Sequence, residues 1–264
     1  MALTPAAGSG CNASSAPPPR NQSPKQVNSE IEWDRFDPQA YVRHNYSALR
    51  PDDREILCHI RDFFADARLS DSRCVDVGSG SNLYPVLPFL PFARSVELCE
   101  WSASNVRWLR SQIDGYDEVW DPYWQVCAEH PSYATLLDPR GRLAQIGRVR
   151  KVSVFDLPGH AWDAGTMFFV ACSISAERAE FDRAIGRFLG ALRPGSPFAA
   201  AFMLGSRGYR VGPRWFPAVE LRSADVEASM AAGACDVDFH EVRPKPPLRD
   251  GSLSMLLATG RTRD

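Results

Sequence analysis

The feature that most constrains the fold of this chain is a short apolar strand that runs directly into a glycine-rich turn. The segment from Val75 to Gly80 reads Val-Asp-Val-Gly-Ser-Gly, with an acidic residue two positions before the first glycine. Gly78 and Gly80 allow the backbone to turn tightly and to approach a ligand closely, because no Cβ stands in the way. Such a turn at the end of a strand indicates a nucleotide-type binding site in an α/β sheet.

The spacing of the glycines distinguishes two kinds of cofactor site. A dinucleotide site requires a third glycine three residues after the second, for helix packing and for the pyrophosphate. Leu83 holds that position, which disfavours a nicotinamide-dependent oxidoreductase. The pattern Asp-x-Gly-x-Gly after a first strand instead resembles the S-adenosylmethionine (SAM) site of class I methyltransferases. An ordinary strand–turn–helix corner is the alternative that the motif alone leaves open.

The composition excludes several classes of function. With 264 residues, of which 44% are hydrophobic, the chain can build a sizeable core. The formal net charge of −2 gives no electrostatic signature of nucleic-acid or anionic-membrane binding. The seven cysteines form no Cys-x-x-Cys pair, so neither a disulfide framework nor a zinc site is predicted. An odd, scattered set of cysteines fits a reducing cytosol.

The first thirty residues differ from the rest of the chain. They are rich in Ala, Ser, Pro, Gly and Asn and carry almost no bulky apolar side chains, so we predict that residues 1–30 are a disordered tail. Residues 31–264 are predicted to form a single domain. No apolar run reaches the length of a signal-peptide core or of a transmembrane helix. We therefore expect a soluble, cytoplasmic protein.

The pattern of apolar residues predicts alternating helices and strands. The aromatic segment from Ile31 to Tyr46 contains a helix that Asp37 caps and Pro38 begins. Further helices are predicted at 52–67, 102–112, 176–192 and 223–232, and strands at 73–77, 95–99, 151–155, 166–172, 197–204, 235–242 and 252–259. Residues 114–150 are predicted to be irregular and to lie partly over the site.

This alternation predicts an α/β fold with a doubly wound, Rossmann-like sheet. Together with the glycine turn, which resembles that of class I SAM methyltransferases, it implies a sheet of the class I SAM-methyltransferase type. The sheet is expected to be mostly parallel, with an antiparallel hairpin at its C-terminal end. In such sheets the ligand binds beyond the carboxyl ends of the strands. The helices before the first strand are expected to form an N-terminal cap.

Three polar residues occupy positions near predicted strand ends. Glu100 lies 20 residues past Gly80, where a carboxylate accepts hydrogen bonds from ribose hydroxyls, although a solvated strand-end acid is the alternative. Asn105 is either a ligand residue or a helix cap. Asp156 follows the third predicted strand, where class I methyltransferases often hold adenine; a turn-forming Asp before Leu157 is the alternative.

The other reactive side chains form no recognisable catalytic set. The histidines are dispersed, at positions 44, 59, 130, 160 and 240. Ser173 and Ser175 lack the Gly-x-Ser-x-Gly elbow of a hydrolase. Trp120 and Trp124, on the segment predicted to be irregular, are the tryptophans that best fit a pocket wall. We assign no catalytic residue and no metal ligand.

Several segments together resemble one family, the small-molecule methyltransferases typified by nicotinamide, phenylethanolamine and indolethylamine/thioether methyltransferases. Residues 36–46 are similar to the family's N-terminal Phe-x-Pro-x-x-Tyr-Leu-x-x-x-Tyr helix, and residues 78–84 to its Gly-Ser-Gly-Pro-Thr-x-Tyr turn. Glu100 and Asn105 match its acid-then-Asn spacing. Residues 120–122, Asp156 and residues 193–195 fall in the family's order. The resemblance covers about residues 31 to 260.

The resemblance implies SAM as cofactor and a set of residues that bind it. Tyr41 and Tyr46 would close over the methionine end of SAM. The remaining positions would be Gly78, Ser79, Gly80, Asn82 and Tyr84 around the amino-acid portion, Glu100 and Asn105 at the ribose, Asp156 and Leu157 at adenine, and Ala171 beneath the sulfonium. Tyr209 and Ser175 would lie on the substrate side.

The substrate positions depart from the family's pattern. The family's amine methylators place carboxylates near the acceptor, where this chain has Ser175, Phe202 and Ser206. A buried ammonium without a partner is costly, so the acceptor is expected to be neutral or to meet a carboxylate elsewhere, for instance Glu177. Nicotinamide and catecholamines are not supported as substrates.

The sequence therefore predicts a SAM-dependent methyltransferase that acts on a small molecule, with nitrogen as the favoured acceptor atom. An O-methyltransferase of a small metabolite and a non-catalytic SAM-binding protein are the alternatives. We expect a monomer that binds neither nucleic acid nor a membrane. Because SAM is already activated, a general base is needed only for an acceptor that carries a proton at attack, and the sequence identifies none.

Overall fold

The computed structural model describes residues 26–244 and 254–263, which form an α/β fold. The strands within these residues are β1 Ser72–Val77, β2 Ala93–Glu100, β3 Gly147–Lys151, β4 Ala164–Phe168, β5 Pro197–Leu204, β6 Gly208–Val211, β7 Arg214–Pro217, β8 Ala234–Val242 and β9 Ser254–Thr262. The α-helices in the same part of the chain are α1 Pro38–Asn45, α2 Pro51–Asp66, α3 Ala103–Ile113, α4 Asp121–Ala128, α5 Pro131–Ala134, α6 Pro139–Ile146, α7 Arg178–Ala191 and α8 Ser223–Met230.

Seven of the strands form one sheet in the order β3-β2-β1-β4-β5-β9-β8. The strands from β3 to β5 are parallel, whereas β9 runs antiparallel to both β5 and β8. The predicted fold class is confirmed, including the antiparallel C-terminal hairpin. The direction of winding reverses at β1, between β2 and β4, which is where ligands bind in open α/β sheets.

The centre of the sheet is buried on both faces. Every residue of β4 and β5 is buried, and the predicted range of β5 matches the observed one. On one side, α7 packs so closely on the sheet that there is no room for a side chain at Gly165 of β4. A Cβ there would lie 2.8 Å from Leu192 Cδ2 and 3.2 Å from Val75 Cγ1.

The predicted range of the third strand is wrong. β3 ends at Lys151, where it pairs with Glu100, and residues 154–156 form a 3₁₀ turn beyond it. Edge strands are solvated, and β3 carries exposed basic side chains instead of the apolar run used for its prediction. The apolar pattern of residues 152–155 reflects the turn, whose Phe155 packs under the guanidinium of Arg183 on α7 at 3.8 Å.

The prediction that residues 114–150 are irregular is also wrong, because this segment contains α4, α5 and α6. Each of these short helices has proline in its first turn, at Pro122, Pro131 and Pro139. Proline is well suited to the first turn of a helix. The N–H groups there have no partner within the helix, so no hydrogen bond is lost when proline lacks one. Each of the three prolines therefore marks the start of a helix.

Two smaller differences between the predicted and the observed elements follow β4 and β5. β4 ends at Phe168, four residues before the predicted end, and Ala171–Ser173 is a 3₁₀ turn. The β6–β7 hairpin was not predicted. Its two-residue connection includes Gly212, whose φ of 55° suits a residue without a Cβ.

The predicted disordered tail falls mainly on residues 1–25, which lie outside the described residues. Residues 26–30, which we assigned to the same tail, contact the body of the protein. The backbone N–H of Asn28 donates to Glu180 on α7 at 2.8 Å, and the carbonyl of Gln26 accepts from the Ala176 N–H at 3.0 Å. The boundary of the folded part therefore lies earlier than predicted.

Within residues 26–244 and 254–263, no helix combines the length and the apolar character that crossing a membrane requires.

Gly165 provides a test of the close approach of α7 to the sheet. Gly165→Ala is expected to lower the free energy of unfolding by about 1–3 kcal/mol, because the added methyl group overpacks a filled site. Chemical denaturation of the purified variant measures this change.

Gly186→Ala is the matched control, since a Cβ at that exposed position of α7 meets nothing within 4 Å. It is expected to stabilise the protein by up to about 1 kcal/mol through helix propensity. Equal effects of the two substitutions would contradict the packing described here.

Candidate active site

A cleft opens at the carboxyl ends of β1, β2 and β4. It encloses about 840 Å³ of empty space, part of it continuous with solvent, which is within the range of small-molecule sites. Its lining consists of Asn28, Trp33, Phe36, Tyr41, Tyr46, Gly78, Ser79, Gly80, Ser81, Asn82, Glu100, Trp101, Asn105, Val152, Ser153, Val154, Phe168, Phe169, Val170, Ser173, Ile174 and Tyr209.

The glycine turn after β1 forms the floor of the cleft. Gly78 and Gly80 have φ values of 68° and 57°, which side-chain-bearing residues rarely adopt. At Gly78 the space is also closed, because a Cβ would lie 2.5 Å from a methyl carbon of Val170. The turn after β4 therefore packs directly on the turn after β1. Phe169, next to Val170, also has a positive φ of 60°, and such strain is typical of functional sites.

The carboxylate of Glu100 connects the end of β2 to the glycine turn. One of its oxygens accepts from the Gly80 N–H at 2.8 Å and the other from the Ser102 N–H at 2.6 Å. Burial raises the pKa of Glu100, and these backbone bonds, together with the Asn105 side chain, oppose that rise. Glu100 is the only carboxylate among the described residues that line the cleft.

Asp76, the acid of the sequence motif, lies beneath the turn and is buried. Burial raises its pKa to about 6, and hydrogen bonds with Ser79 and Thr166 oppose the rise. The Thr166 hydroxyl donates to one carboxylate oxygen at 2.7 Å, while the other oxygen has no partner. Asp76 thus supports the turn from below and does not line the cleft.

The floor of the cleft contains polar atoms that fit a nucleoside cofactor. The side-chain oxygens of Asn105 and Ser81 are buried and have no hydrogen-bond partner. Asn105 is not the helix cap, since Ser102 caps α3 and the Asn105 side chain bonds Glu100. Unpaired buried oxygens next to an open cleft, a glycine floor without Cβ atoms and a strand-end carboxylate match the needs of SAM.

Aromatic side chains close the cleft beside the glycine turn. Tyr41 and Tyr46 of the α1 region both line it, and their ring centroids lie 5.9 Å apart. Behind Tyr46 lie the rings of Tyr84, Trp120 and Tyr123, at 6.0, 5.4 and 6.4 Å. Trp120 therefore supports the wall from behind and does not form it.

Two buried carboxylates lie below this aromatic cluster, at the start of α2. Asp52 pairs with Arg50 at 3.1 Å. Burial, together with the charge of Asp52, raises the pKa of Asp53 to about 7, and Arg50 opposes the rise. The charge of Asp53 in turn contributes to the raised pKa of Tyr46.

A column of aromatic rings forms another part of the wall, which we call the outer end of the cleft; it adjoins the start of α3, where the Ser102 hydroxyl donates to the Trp33 carbonyl at 2.7 Å. Phe216 of β7 stacks on Trp33 at 5.4 Å and on Tyr209 of β6 at 5.5 Å, with interplanar angles of 20° and 25°. Phe36 packs beside Phe216 at 5.3 Å. The β6–β7 hairpin thus meets the segment before α1, and three of these side chains (Trp33, Phe36 and Tyr209) line the cleft.

The cleft brings together most of the predicted site residues. Those found in its lining are Tyr41, Tyr46, Gly78, Ser79, Gly80, Asn82, Glu100, Asn105 and Tyr209. Tyr84 lies one layer behind, fully buried against Tyr46. Ala171 is buried in the turn after β4 and does not reach the cleft surface.

The structure does not place Asp156 and Leu157 in the cleft. Because β3 ends at Lys151, the residues that reach the cleft after it are Val152, Ser153 and Val154. Asp156 is exposed at the end of the following 3₁₀ turn. Its predicted role rested on a strand that extended to residue 155.

Ser175 is also outside the cleft lining. It is buried, and its hydroxyl donates to the Gln26 carbonyl at 3.3 Å and accepts from the Glu177 N–H at 2.8 Å. Ser175 therefore anchors residues 26–28 at the start of α7. Neither Glu177 nor Trp124, both considered as pocket residues, lines the cleft.

Sequence reasoning missed several lining residues. Trp33 and Phe36 are brought to the site by a contact with the β6–β7 hairpin, which is about 180 residues away in the chain and left no local signal. Trp101 could have been found, since it follows Glu100 directly. Its side chain is 48% exposed, with Lys151 Nζ 5.4 Å from the ring centroid. A large exposed aromatic residue beside a ligand-binding acid is a signal for base stacking.

Comparison with known proteins identifies relatives of this fold and site. The sequence model of the NNMT/PNMT/TEMT family matches residues 25–246. Phenylethanolamine N-methyltransferase of Mus musculus is 24% identical, over 80% of this chain and 78% of that protein. The Homo sapiens enzyme of the same name is 23% identical over 83% of each chain. Indolethylamine N-methyltransferase of Mus musculus is 24% identical over 62% of this chain and 66% of that protein.

Solved structures share the fold. Magnesium protoporphyrin IX methyltransferase from Synechocystis PCC 6803, solved with bound SAM, has a TM-score of 0.53 at 12% identity, over 86% of this chain and 90% of that chain. The N-methyltransferase NodS from Bradyrhizobium japonicum WM9, solved with S-adenosylhomocysteine, has a TM-score of 0.50 at 11% identity, over 86% of this chain and all of that chain.

Glu100 provides a test of the cofactor end of the cleft. Glu100→Gln is expected to weaken S-adenosylhomocysteine binding at least tenfold, or about 1.4 kcal/mol. The reason is that the amide nitrogen cannot accept from the Gly80 or Ser102 N–H, so one of the two hydrogen bonds by which this side chain connects the glycine turn to the start of α3 is lost. Isothermal titration calorimetry measures the affinity.

Two control variants accompany this measurement. Glu97→Gln alters a carboxylate on the same strand that pairs with Arg150 outside the cleft, so its affinity should match that of the unsubstituted protein. Asp156→Ala should also leave the affinity unchanged. A loss for Asp156→Ala as large as that for Glu100→Gln would contradict the position of β3.

Asp53 provides a test by pH. Its folded-state pKa is about 7, above the unfolded value of 3.8, so its contribution to stability is fully present below pH 3.8 and is lost as the pH rises through 7. Asp53→Asn removes this titration. Relative to the unsubstituted protein, the variant should gain about 2–3 kcal/mol in free energy of unfolding between pH 5 and pH 8.

Denaturation at both pH values measures this change, and Asp53→Ala separates titration from packing. Relative to the unsubstituted protein, the free energy of unfolding of Asp53→Ala should rise with pH by the same amount as that of Asp53→Asn. It should start from a lower value, because the alanine substitution also leaves a cavity. A difference between Asp53→Asn and the unsubstituted protein that does not change with pH would overturn the assignment.

Proposed function

The chain belongs to the NNMT/PNMT/TEMT family, and from this premise we propose that it methylates a nitrogen atom of an uncharged, planar aromatic small molecule. It is a SAM-dependent methyltransferase. One observation carries the proposal about the acceptor. Among the described residues, the outer end of the cleft is lined by aromatic and uncharged polar side chains, and the only lining carboxylate, Glu100, lies at the cofactor end.

We infer that the floor and the inner wall of the cleft bind SAM. Glu100 and Asn105 would hold the ribose hydroxyls, and the turn of Gly78, Ser79 and Gly80 would meet the amino-acid portion with its backbone groups. Trp101 would stack on adenine, whose edge would face Ser153 and Val154. Tyr41 and Tyr46 would cover the methionine end. When bound, SAM supplies a methyl group that is already activated by the sulfonium charge.

The outer end of the cleft would hold the acceptor. Trp33, Phe36 and Tyr209 provide flat apolar surfaces, and the stack through Phe216 fixes their orientation. Aromatic walls favour planar, electron-rich ligands through stacking and burial of apolar area. Asn28, which lines the same end, offers an uncharged polar group that can orient such a ligand.

The charge distribution favours a neutral acceptor over a cationic amine. A protonated amine buried against these rings would lack the carboxylate that compensates its charge in the family's amine methylators. Phe202 and Ser206, which replace such carboxylates, are fully buried, and the Ser206 hydroxyl donates to the Gly208 carbonyl at 3.3 Å. The substrate in the names of the phenylethanolamine relatives is thus not the one that this cleft favours.

The protonation chemistry of the site supports nitrogen as the acceptor atom. Within the described part of the lining, no histidine, lysine or second carboxylate is present to remove a proton. Burial raises the pKa of Tyr46, which keeps that hydroxyl protonated. The acceptor should therefore attack with a free lone pair, as a pyridine-like ring nitrogen does. Nicotinamide, which the sequence pattern did not single out, falls in this chemical class and belongs in the assay panel. A hydroxyl acceptor would require a general base.

We further propose that the enzyme acts as a monomeric single domain in the cytosol. The two edge strands carry charges of a single sign, basic on β3 and mostly acidic on β8, so each edge repels its counterpart in a second copy. The six cysteines among the described residues are free, and burial raises the thiol pKa of Cys74, Cys99 and Cys127, as suits a reducing compartment.

A methyl-transfer assay tests the proposed acceptor class. Purified protein and SAM would be incubated with a panel of neutral nitrogen heterocycles, aliphatic amines and phenols, and S-adenosylhomocysteine release would be measured. Turnover is expected with the heterocycles, and Tyr209→Ala should raise KM at least tenfold for them while leaving SAM affinity unchanged. The reason is that the substitution removes one ring of the acceptor wall.

Other outcomes of the assay identify the alternatives. Turnover only of phenols would establish an O-methyltransferase, and turnover only of protonated amines would overturn the neutral-acceptor proposal. Binding of SAM without turnover of any compound would favour a non-catalytic SAM-binding protein.

A further inference from the structure

A second cluster of potential ligand side chains lies between α2 and the edge strand β8, and none of its members lines the cleft. Glu55 and His59 are one turn apart on α2, and His240 faces them from β8. Nε2 of His240 forms a hydrogen bond with Oε1 of Glu55 at 2.7 Å. The imidazole rings of His59 and His240 lie against each other, with centroids 3.9 Å apart.

We propose that Glu55, His59 and His240 form a Zn²⁺ site. Each contributes one ligand atom, and these three atoms already lie within 4.8 Å of one another. In a tetrahedral zinc site with bonds of about 2.0–2.2 Å, neighbouring ligand atoms are separated by about 3.3 Å. To bring the three ligand atoms to this separation, the Glu55 side chain would rotate, which its 48% exposure allows.

The ligand types of the cluster suit a divalent metal ion. The imidazole rings of His59 and His240 lie against each other, so one dication can lie within reach of both. Two imidazole nitrogens and one carboxylate oxygen form a ligand set that suits zinc.

The surroundings of the cluster leave room for the ion and supply further negative charge. A surface cavity lined by Phe63, Leu257, Thr259 and the two histidines opens beside it. Asp236 and Asp238 of β8 face the same cavity. The pairing of β8 with β9 is irregular between Cys235 and Asp238, where Asp236 has a φ of 51°. Such bulges redirect side chains at sheet edges.

No local sequence pattern indicates this site, because Glu55 and His240 are 185 residues apart. Only the packing of α2 on the last strand of the sheet brings them together. A zinc ion here would cross-link α2 to β8 and would stabilise the folded state only. It would leave the methyl-transfer cleft unchanged, so the site is independent of the proposed acceptor.

Metal titration of the full chain tests the proposal. Tag-free protein, freed of metal with a chelator, would be titrated with ZnCl₂ by calorimetry in the presence of a weak competing chelator. One ion per chain is expected, with a Kd in the micromolar range or below. Zinc at one hundred times the Kd should raise Tm by about 5 °C or more.

Variants decide whether the ion binds at this cluster. His59→Asn and His240→Asn are each expected to weaken zinc binding at least tenfold and to abolish the Tm rise. His44→Asn, at an exposed histidine on α1, is the matched control and should bind as the unsubstituted protein does. Circular dichroism confirms that each variant is folded. The absence of zinc binding, or binding that survives both cluster substitutions, would overturn the proposal.

Discussion

The cleft depends on one carboxylate, that of Glu100, which holds two backbone segments at a fixed distance. The Gly80 N–H belongs to the turn after β1 and the Ser102 N–H to the start of α3, and both donate to it. Without this bridge the glycine turn would have one support fewer on the side of β2. Because the turn after β4 packs onto Gly78, the position of that second turn depends on the same bridge. The carboxylate that we propose as the ribose ligand thus also assembles the site around it.

The two ends of the cleft use different physical interactions. Its inner end is polar and presents backbone groups, a carboxylate and unpaired oxygens, as expected where a nucleoside with many hydrogen-bonding groups is held. Its outer end is aromatic, and among the described residues no charged side chain lines it. The two ends therefore differ in the kind of ligand group that each can hold.

The sequence predicted most accurately those elements and site residues that depend on a pattern of neighbouring residues. The fully buried β5 was located residue for residue, because a continuous apolar run has few other interpretations. β3 was misplaced, because an exposed edge strand such as Arg148–Lys151 has no apolar signal. In the same way, the glycine turn and Glu100 were found from spacing. Trp33 and Phe216 required the pairing of segments from opposite ends of the chain, which no local pattern encodes.

The stack of Trp33 on Phe216 has a consequence for the order in which the protein is made. The emergence of residue 154 from the ribosome and that of residue 216 are two separate events, and the turn after β4, which packs on the glycine turn, emerges between them. At a synthesis rate of about 5–20 residues per second, the two events are separated by roughly 3 to 12 s. During this interval Trp33 lacks the ring on which it stacks in the folded protein, so the aromatic wall that it shares with Phe216 is assembled last.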